Sequence, residues 1–313
     1  MVTEKVGKVV KGLGGLYEVR VLEQDGMHRL ACRAKGVLKR DEEKVLVGDE
    51  VKLLIDDSTP DGIVISEVLP RRSELIRPPM SNLDLLFIVI SAKKPAPVLE
   101  TVDKLIAIAE HNRIAPVLVI TKSDIGGKYS EELQDIYTLA GIKTFVTSAK
   151  TEEGIDTLSK YMMEELKGGR CAAFAGASGV GKSTLMNALF PNLALATAEI
   201  SRKIERGRHT TRHVEIYDIT DSPDTGFLAD TPGFSLIDFS RFDFFSIEEL
   251  PDTFRELAAY RGKCRYADCS HVGEGADECA VAKAVAEGLI APSRLESYRS
   301  IYKTLKAKRP YDD

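Results

Sequence analysis

The sequence predicts a multi-domain α/β protein with an all-β barrel at its N-terminus and a helical, cysteine-bearing module at its C-terminus. Three observations carry that expectation. Residues 1–70 hold short β-branched runs broken by glycine turns, residues 83–230 alternate strand-like and helical stretches, and three cysteines crowd between positions 264 and 279. At 313 residues the chain has room for two or three domains, and 43% hydrophobic with 29% charged residues gives ample core. A net charge of −5 excludes a bulk polycation, so phosphate contacts must come from local patches such as Arg202–Arg212 and the tail 298–310. An odd count of five cysteines and a start, MVTEKVGKVVKG, without the apolar core of a secretory signal point to a reducing cytosol. No apolar run approaches the roughly 18 residues of a membrane span.

Within residues 1–70, "GKVVKGLGGLYEVRVL", "RLACRAKG", "VGDEVKLLI" and "GIVISEVL" read as strands of a small closed barrel, the oligonucleotide-binding type being one option. The stretch 70–82, "PRRSELIRPPMSN", reads as a linker. Beyond it, "LDLLFIVI", a helix from about 98 to 112, "APVLVI", a helix from about 130 to 140, "KTFVT", and a helix from about 154 to 166 alternate as βαβ units. "RCAAFAG" and "KSTLMNALF" then bracket a glycine-rich loop. "HVEIYDI" and "TGFLAD" form an expected antiparallel pair, and a phenylalanine-rich link leads to the cysteines and a final amphipathic helix. The expected boundaries are 1–70, 71–240 and 241–313.

The loop "GASGVGKST", residues 176–184, fits Gly-x-x-x-x-Gly-Lys-[Ser/Thr], in which glycine-rich backbone cradles phosphates. Gly176, Ala177, Ser178, Gly179, Val180 and Gly181 form its rim. Lys182 is placed to meet the β/γ-phosphates and Ser183 the Mg²⁺, while backbone amides through Thr184 meet phosphate oxygens at a helix N-terminus. "DTPG" (230–233) follows a strand, where Asp230 would hold Mg²⁺ through water and the Gly233 amide would sense the γ-phosphate.

"TKSD", comprising Thr121, Lys122, Ser123 and Asp124, ends a strand. A carboxylate there accepts from guanine N1–H and the 2-amino group, a pair of donors that adenine lacks. "SAK", comprising Ser148, Ala149 and Lys150, also follows a strand, with its backbone facing the guanine oxygen. Cys264-x₄-Cys269-x-His271-x₇-Cys279 supplies three thiolates and an imidazole, which fits one structural tetrahedral Zn²⁺. Cys32 and Cys171 read as ordinary buried strand cysteines.

Taken together these stretches resemble the motifs of translation-factor-related GTPases in a circularly permuted order: TKSD and SAK come first, then the phosphate loop, HTT and DTPG. With the barrel and the cysteine cluster, the whole chain resembles the RsgA (YjeQ/YloQ) family. The implied fold is an oligonucleotide-binding-like barrel, a circularly permuted P-loop GTPase domain and a helical zinc-binding domain. The implied activity is GTP hydrolysis stimulated by the small ribosomal subunit in late subunit maturation. The implied partners are that subunit, its rRNA and GTP/GDP, and the implied cofactors are Mg²⁺ and Zn²⁺. A monomer is expected. A GTP-gated RNA-binding module with incidental turnover is the alternative, and TKSD with SAK argue against a kinase or ATPase.

Two features depart from the commoner GTPase pattern. Thr121 stands where an asparagine is usual, so the side-chain amide tying the base to the phosphate loop is lost and weaker nucleotide affinity is expected. Phe234 follows DTPG where a water-orienting glutamine is frequent, so slow intrinsic turnover is expected. In the candidate switch "GRHTTRH" (207–213), Thr210 or Thr211 would close on Mg²⁺. The sequence does not separate them, and Thr211 is the expected magnesium ligand. The resemblance gives His209 a water-orienting role alongside Lys182. A solvent-facing or RNA-contacting histidine is the other reading. The His271-to-Cys279 gap is slightly longer than the family's, which makes Cys279 the least secure of the four ligands.

Overall fold

The computed structural model describes residues 2–23, 25–35, 44–56, 58, 62–191, 214–220, 222, 224–230 and 244–308. Its chain divides into two compact units, each drawn from three segments. One comprises Met1–Leu85, Ser159–Phe174 and Phe190–Phe234, and the other Leu86–Leu158, Ala175–Leu189 and Ser235–Asp313.

The first unit begins with strands β1 (Val2–Leu13), β2 (Leu16–Glu23), β3 (Gly26–Ala34), β4 (Glu50–Asp56) and β5 (Ile63–Val68). They pair in the order β1-β2-β3-β5-β4, and β4 returns to β1, so each strand has two neighbours. The pairing is ring-like, as expected of an oligonucleotide-binding-like domain, but the ring is not a clear barrel. Its narrowest seam is the parallel β3–β5 pairing, limited to Arg33↔Val64 and Ala34↔Ile65. Alternation along the strands sends Val9, Val19, Val21, Val51, Leu53 and Ile65 inward, each 1% exposed or less.

The segment 70–82, expected as a linker, carries regular structure. It forms a two-strand hairpin, β6 (Glu74–Leu75) and β7 (Met80–Ser81), sealed onto the ring by Asp49. The Asp49 carboxylate is fully buried, accepting from Arg71 Nε (2.7 Å), Ser81 Oγ (2.6 Å) and the Leu46 amide (2.7 Å). A buried charge with three donors is satisfied rather than orphaned. The polar "VGDE" turn thereby fixes a segment whose composition reads as linker.

Strands β11 (Cys171–Ala175), β12 (Glu215–Asp218) and β13 (Phe227–Asp230) continue the first unit's sheet. β12 and β13 are antiparallel as expected, and β12 joins β1 at Lys11↔Glu215. The joint is polar and aromatic. Arg20 lies 4.7 Å and Lys8 5.1 Å from the Phe227 ring centre, and Arg20 pairs with Asp218 at 2.5 Å. Cys32 and Cys171 are buried in their strands, and burial pushes the Cys171 thiol up to about 12.

In the second unit β9 (Ala115–Thr121) lies between β8 (Leu85–Ser91) and β10 (Lys143–Val146), with β9 and β10 parallel. All seven residues of β8 are buried, as a strand covered on both faces requires. Around these strands lie α1 (Leu99–His111), α2 (Lys128–Leu139), α3 (Ile155–Glu165, which continues into the first unit's segment) and α4 (Lys182–Leu189). The C-terminal segment adds α5 (Ala280–Ala286) and α6 (Pro292–Lys308). Arg294 of α6, 1% exposed, donates to Asp103 of α1 at 2.6 Å and to Glu256 at 2.6 and 3.2 Å. This two-carboxylate clamp, with Arg294 also over the Phe254 ring at 4.4 Å, locks α6 against α1.

Candidate nucleotide and metal sites

Strand β11 is followed by Gly176, whose φ of +146° and close packing exclude a side chain: an added Cβ would lie 2.2 Å from the Val89 carbonyl oxygen. The loop then exposes Ala177, Ser178 and Gly179, buries Val180 as a plug, and enters α4 at Lys182. Ser183 and Thr184 are exposed in the first turn of α4, where free amides and the helix dipole favour an anion. Lys182 Nζ turns back onto its own loop, donating to the Gly176 carbonyl at 2.6 Å. Burial lowers the Lys182 ammonium below the ordinary lysine range, and phosphate oxygens act in the opposite sense.

Beside this loop opens a cavity of about 300 Å³ bordered by Thr121, Lys122, Asp124, Ser148, Ala149 and Lys150 together with Gly181 and Thr184. All three expected stretches therefore converge within one unit. Lys122 has φ +61° and spans the gap with its ammonium, donating to the Gly179 carbonyl at 2.8 Å and to the Lys94 carbonyl at 2.5 Å. Ser148 Oγ donates to Asp124 Oδ1 at 2.8 Å, which orients the carboxylate and leaves its second oxygen for a ligand.

Thr121 keeps a hydroxyl where the usual asparagine amide is lost. Its buried hydroxyl lies 2.5 Å from the Val180 carbonyl and 3.0 Å from the Ile90 carbonyl. The single hydroxyl hydrogen serves one acceptor at a time. The tie from this strand end to the phosphate loop is therefore kept by a hydroxyl, although the amide is absent.

Asp230 closes β13 in the first unit, exposed at the strand end. Desolvation, followed by the neighbouring Glu215 that faces it in register, raises its carboxyl above the usual range. A nearby divalent cation would act in the opposite sense. His209, Thr210, Thr211, Gly233 and Phe234 lie outside the described residues.

The four residues expected to hold zinc converge. Cys264, Cys269 and Cys279 Sγ lie 3.6, 3.5 and 3.4 Å from His271 Nδ1. A tetrahedral centre with zinc's usual bond lengths separates sulfur from nitrogen by about 3.6 Å, so the donor set fits. Cys279, the least secure from spacing, is the nearest of the three sulfurs. It caps α5 by accepting from the Ala282 amide at 3.4 Å, and Cys264 Sγ accepts from Ala280 N at 3.4 Å. His271 reaches the cluster from a left-handed conformation, φ +62°, its carbonyl held by Arg299 Nε at 3.1 Å. Burial pushes the Cys269 thiol up to about 12 and the His271 imidazole down, so both favour the uncharged form until a cation arrives.

Glu153, Lys94 and Arg299 also take part and carry no motif of their own. Only the glycine after Glu153, a turn signal, hinted at the first.

A phosphate loop following in sequence the guanine-reading loops it adjoins in space defines a circularly permuted GTPase. Comparison with known proteins agrees. The family described as RsgA GTPase matches residues 68–240, and that described as RsgA N-terminal domain matches residues 6–64. The chain belongs to the RsgA GTPase family. It is 37% identical over 313 residues to the small ribosomal subunit biogenesis GTPase RsgA of Agathobacter rectalis, covering 97% of this chain and 99% of that one. It is 39% identical over 293 residues to the protein of the same name from Carboxydothermus hydrogenoformans, covering 93% and 94%. Among solved structures, YjeQ from Thermotoga maritima superposes with a TM-score of 0.79 at 32% identity, covering 98% of this chain and 100% of that one. YloQ, described as a circularly permuted GTPase, gives 0.76 at 30%, covering 98% and 97%.

Proposed function

We propose that this protein is a GTPase of small ribosomal subunit biogenesis, acting in the cytoplasm as a monomer in contact with the subunit's rRNA. The observation that carries the reading is the convergence of Asp124, Ser148 and the phosphate loop on one cavity in one compact unit. On this reading Asp124 accepts from guanine N1–H and the 2-amino group, Lys122 lies along the base, and the Ser148–Lys150 backbone meets the guanine oxygen. Residues Gly176–Thr184 hold the phosphates, with Lys182 exchanging its loop carbonyl for a phosphate oxygen. Ser183, Thr211 and Asp230 would hold Mg²⁺, which would supply positive charge against the phosphates. His209 orients the attacking water. Cys264, Cys269, His271 and Cys279 hold one Zn²⁺ in a structural role. The domains are 1–70, 71–240 and 241–313, and switch II leads directly into the third.

GTP hydrolysis by the purified protein alone, with small subunits and with large subunits tests the reading. An intrinsic rate around 10⁻⁴ per second that rises by orders of magnitude with small subunits only is expected. Binding to small subunits without stimulated hydrolysis would replace it with a GTP-gated RNA-binding module.

A further inference from the structure

Guanine selectivity requires two loops from different strands to hold one edge of a base at fixed separation. Each loop here is short, and each begins where a strand releases the chain. Ser123 N donates to the Thr147 carbonyl at 3.2 Å, and Ser148 Oγ reaches Asp124, but neither bond extends beyond the loops themselves. A third segment, the turn before α3, touches both. The Glu153 carboxylate accepts from Ser123 Oγ at 2.7 Å, and the Glu153 carbonyl accepts from Ser148 N at 3.0 Å. The turn is itself fixed. Gly154 has φ +71°, and a Cβ there would lie 2.2 Å from the Val146 carbonyl oxygen, so the backbone packs directly on the end of β10.

We propose that Glu153 is a positioning residue for guanine selectivity. It clips the Lys122–Asp124 loop to the Ser148–Lys150 loop and so aims the Asp124 carboxylate at the base. The inference rests on the GTPase reading above and adds a residue that lies outside the guanine-reading stretches. Holding the Ser123 hydroxyl fixes the backbone from which the Asp124 side chain departs. A carboxylate displaced by more than about 0.5 Å, the spread of good hydrogen-bond lengths, or turned off line meets N1–H and the 2-amino group poorly together. The Glu153 side chain is exposed and competes with water for Ser123, so the expected effect is moderate.

The test compares binding of GTP with that of inosine triphosphate, which keeps N1–H but lacks the 2-amino group. Wild type, Glu153→Ala, Ser123→Ala and Glu153→Gln are measured by titration, with melting temperature followed in parallel. The preference for GTP over inosine triphosphate should fall by about 3- to 10-fold in Glu153→Ala and equally in Ser123→Ala. The double variant should lose no more than either alone, and Glu153→Gln, which keeps an acceptor, should retain the preference. An unchanged preference in both alanine variants, or equal weakening of both nucleotides, overturns the proposal. ATP is titrated against wild type in parallel, and a wild type that does not prefer GTP to ATP would instead overturn the GTPase reading itself.

Discussion

The guanine pocket and the cysteine cluster share one compact unit, yet they are built from different material. The pocket's guanine-reading loops hang from β9 and β10, beside β8, where Leu85–Ser91 is wholly buried and only Ala115 of β9 is exposed. The cluster sits in a segment rich in exposed residues, among them Arg261, Lys263, Arg265 and Tyr266. Apolar burial holds the first framework whether or not a ligand is bound. The second has little apolar surface to bury and depends on four donors closing around a cation. Ligand binding should therefore be read as affinity at one site and as local folding at the other.

Metal removal should separate the two regions most visibly. Chelation, or Cys264→Ser, should unfold the segment around 260–290 while Leu85–Val146 keeps its amide protection in hydrogen exchange. Binding free energies of about 10–16 kcal/mol in metal-dependent peptides set the scale of the local loss. Acid should act in the same direction. The Cys269 thiol, about 12 without metal, must give up its proton to bind, so metal affinity falls as pH falls, and a metal-release titration should show it.

Next in size is Arg294→Met, which asks whether the two regions share one clamp. Asp103 and Glu256 would remain buried without their cation, a loss of about 3–5 kcal/mol in thermal or denaturant unfolding. Asp124→Ala addresses the pocket alone. It should weaken GTP binding about 100-fold or more with little change in melting temperature, because its neighbours are held by other bonds. The smallest effect should come from Thr121→Val. Loss of the hydroxyl bond to the Val180 carbonyl should cost about 1 kcal/mol of nucleotide affinity by titration, with guanine preference intact.

Much of this architecture was legible in the chain. The alternation "VVKGLGGLYEVRV" wrote the N-terminal strands, apolar runs flanked by amphipathic stretches wrote the βαβ units, and "GASGVGKST" wrote the phosphate loop. All are local patterns, in which neighbouring residues share the geometry that their spacing encodes. The four metal donors were legible too, because they lie close in sequence and their chemistry excludes most other uses.

What the chain alone determined was therefore the type and order of the elements and the identity of the residues with no other plausible employment. The tertiary structure decided which distant polar groups meet. It turned "PRRSELIRPPMSN" from an expected linker into a hairpin sealed by Asp49. It gave Thr121 an acceptor 59 residues away in Val180, and it set Glu153 between two loops that it neighbours only in space. Those bonds join side chains to groups brought near by the crossing of strands. No periodicity or spacing records them, because each partner's own sequence surroundings are satisfied without the other.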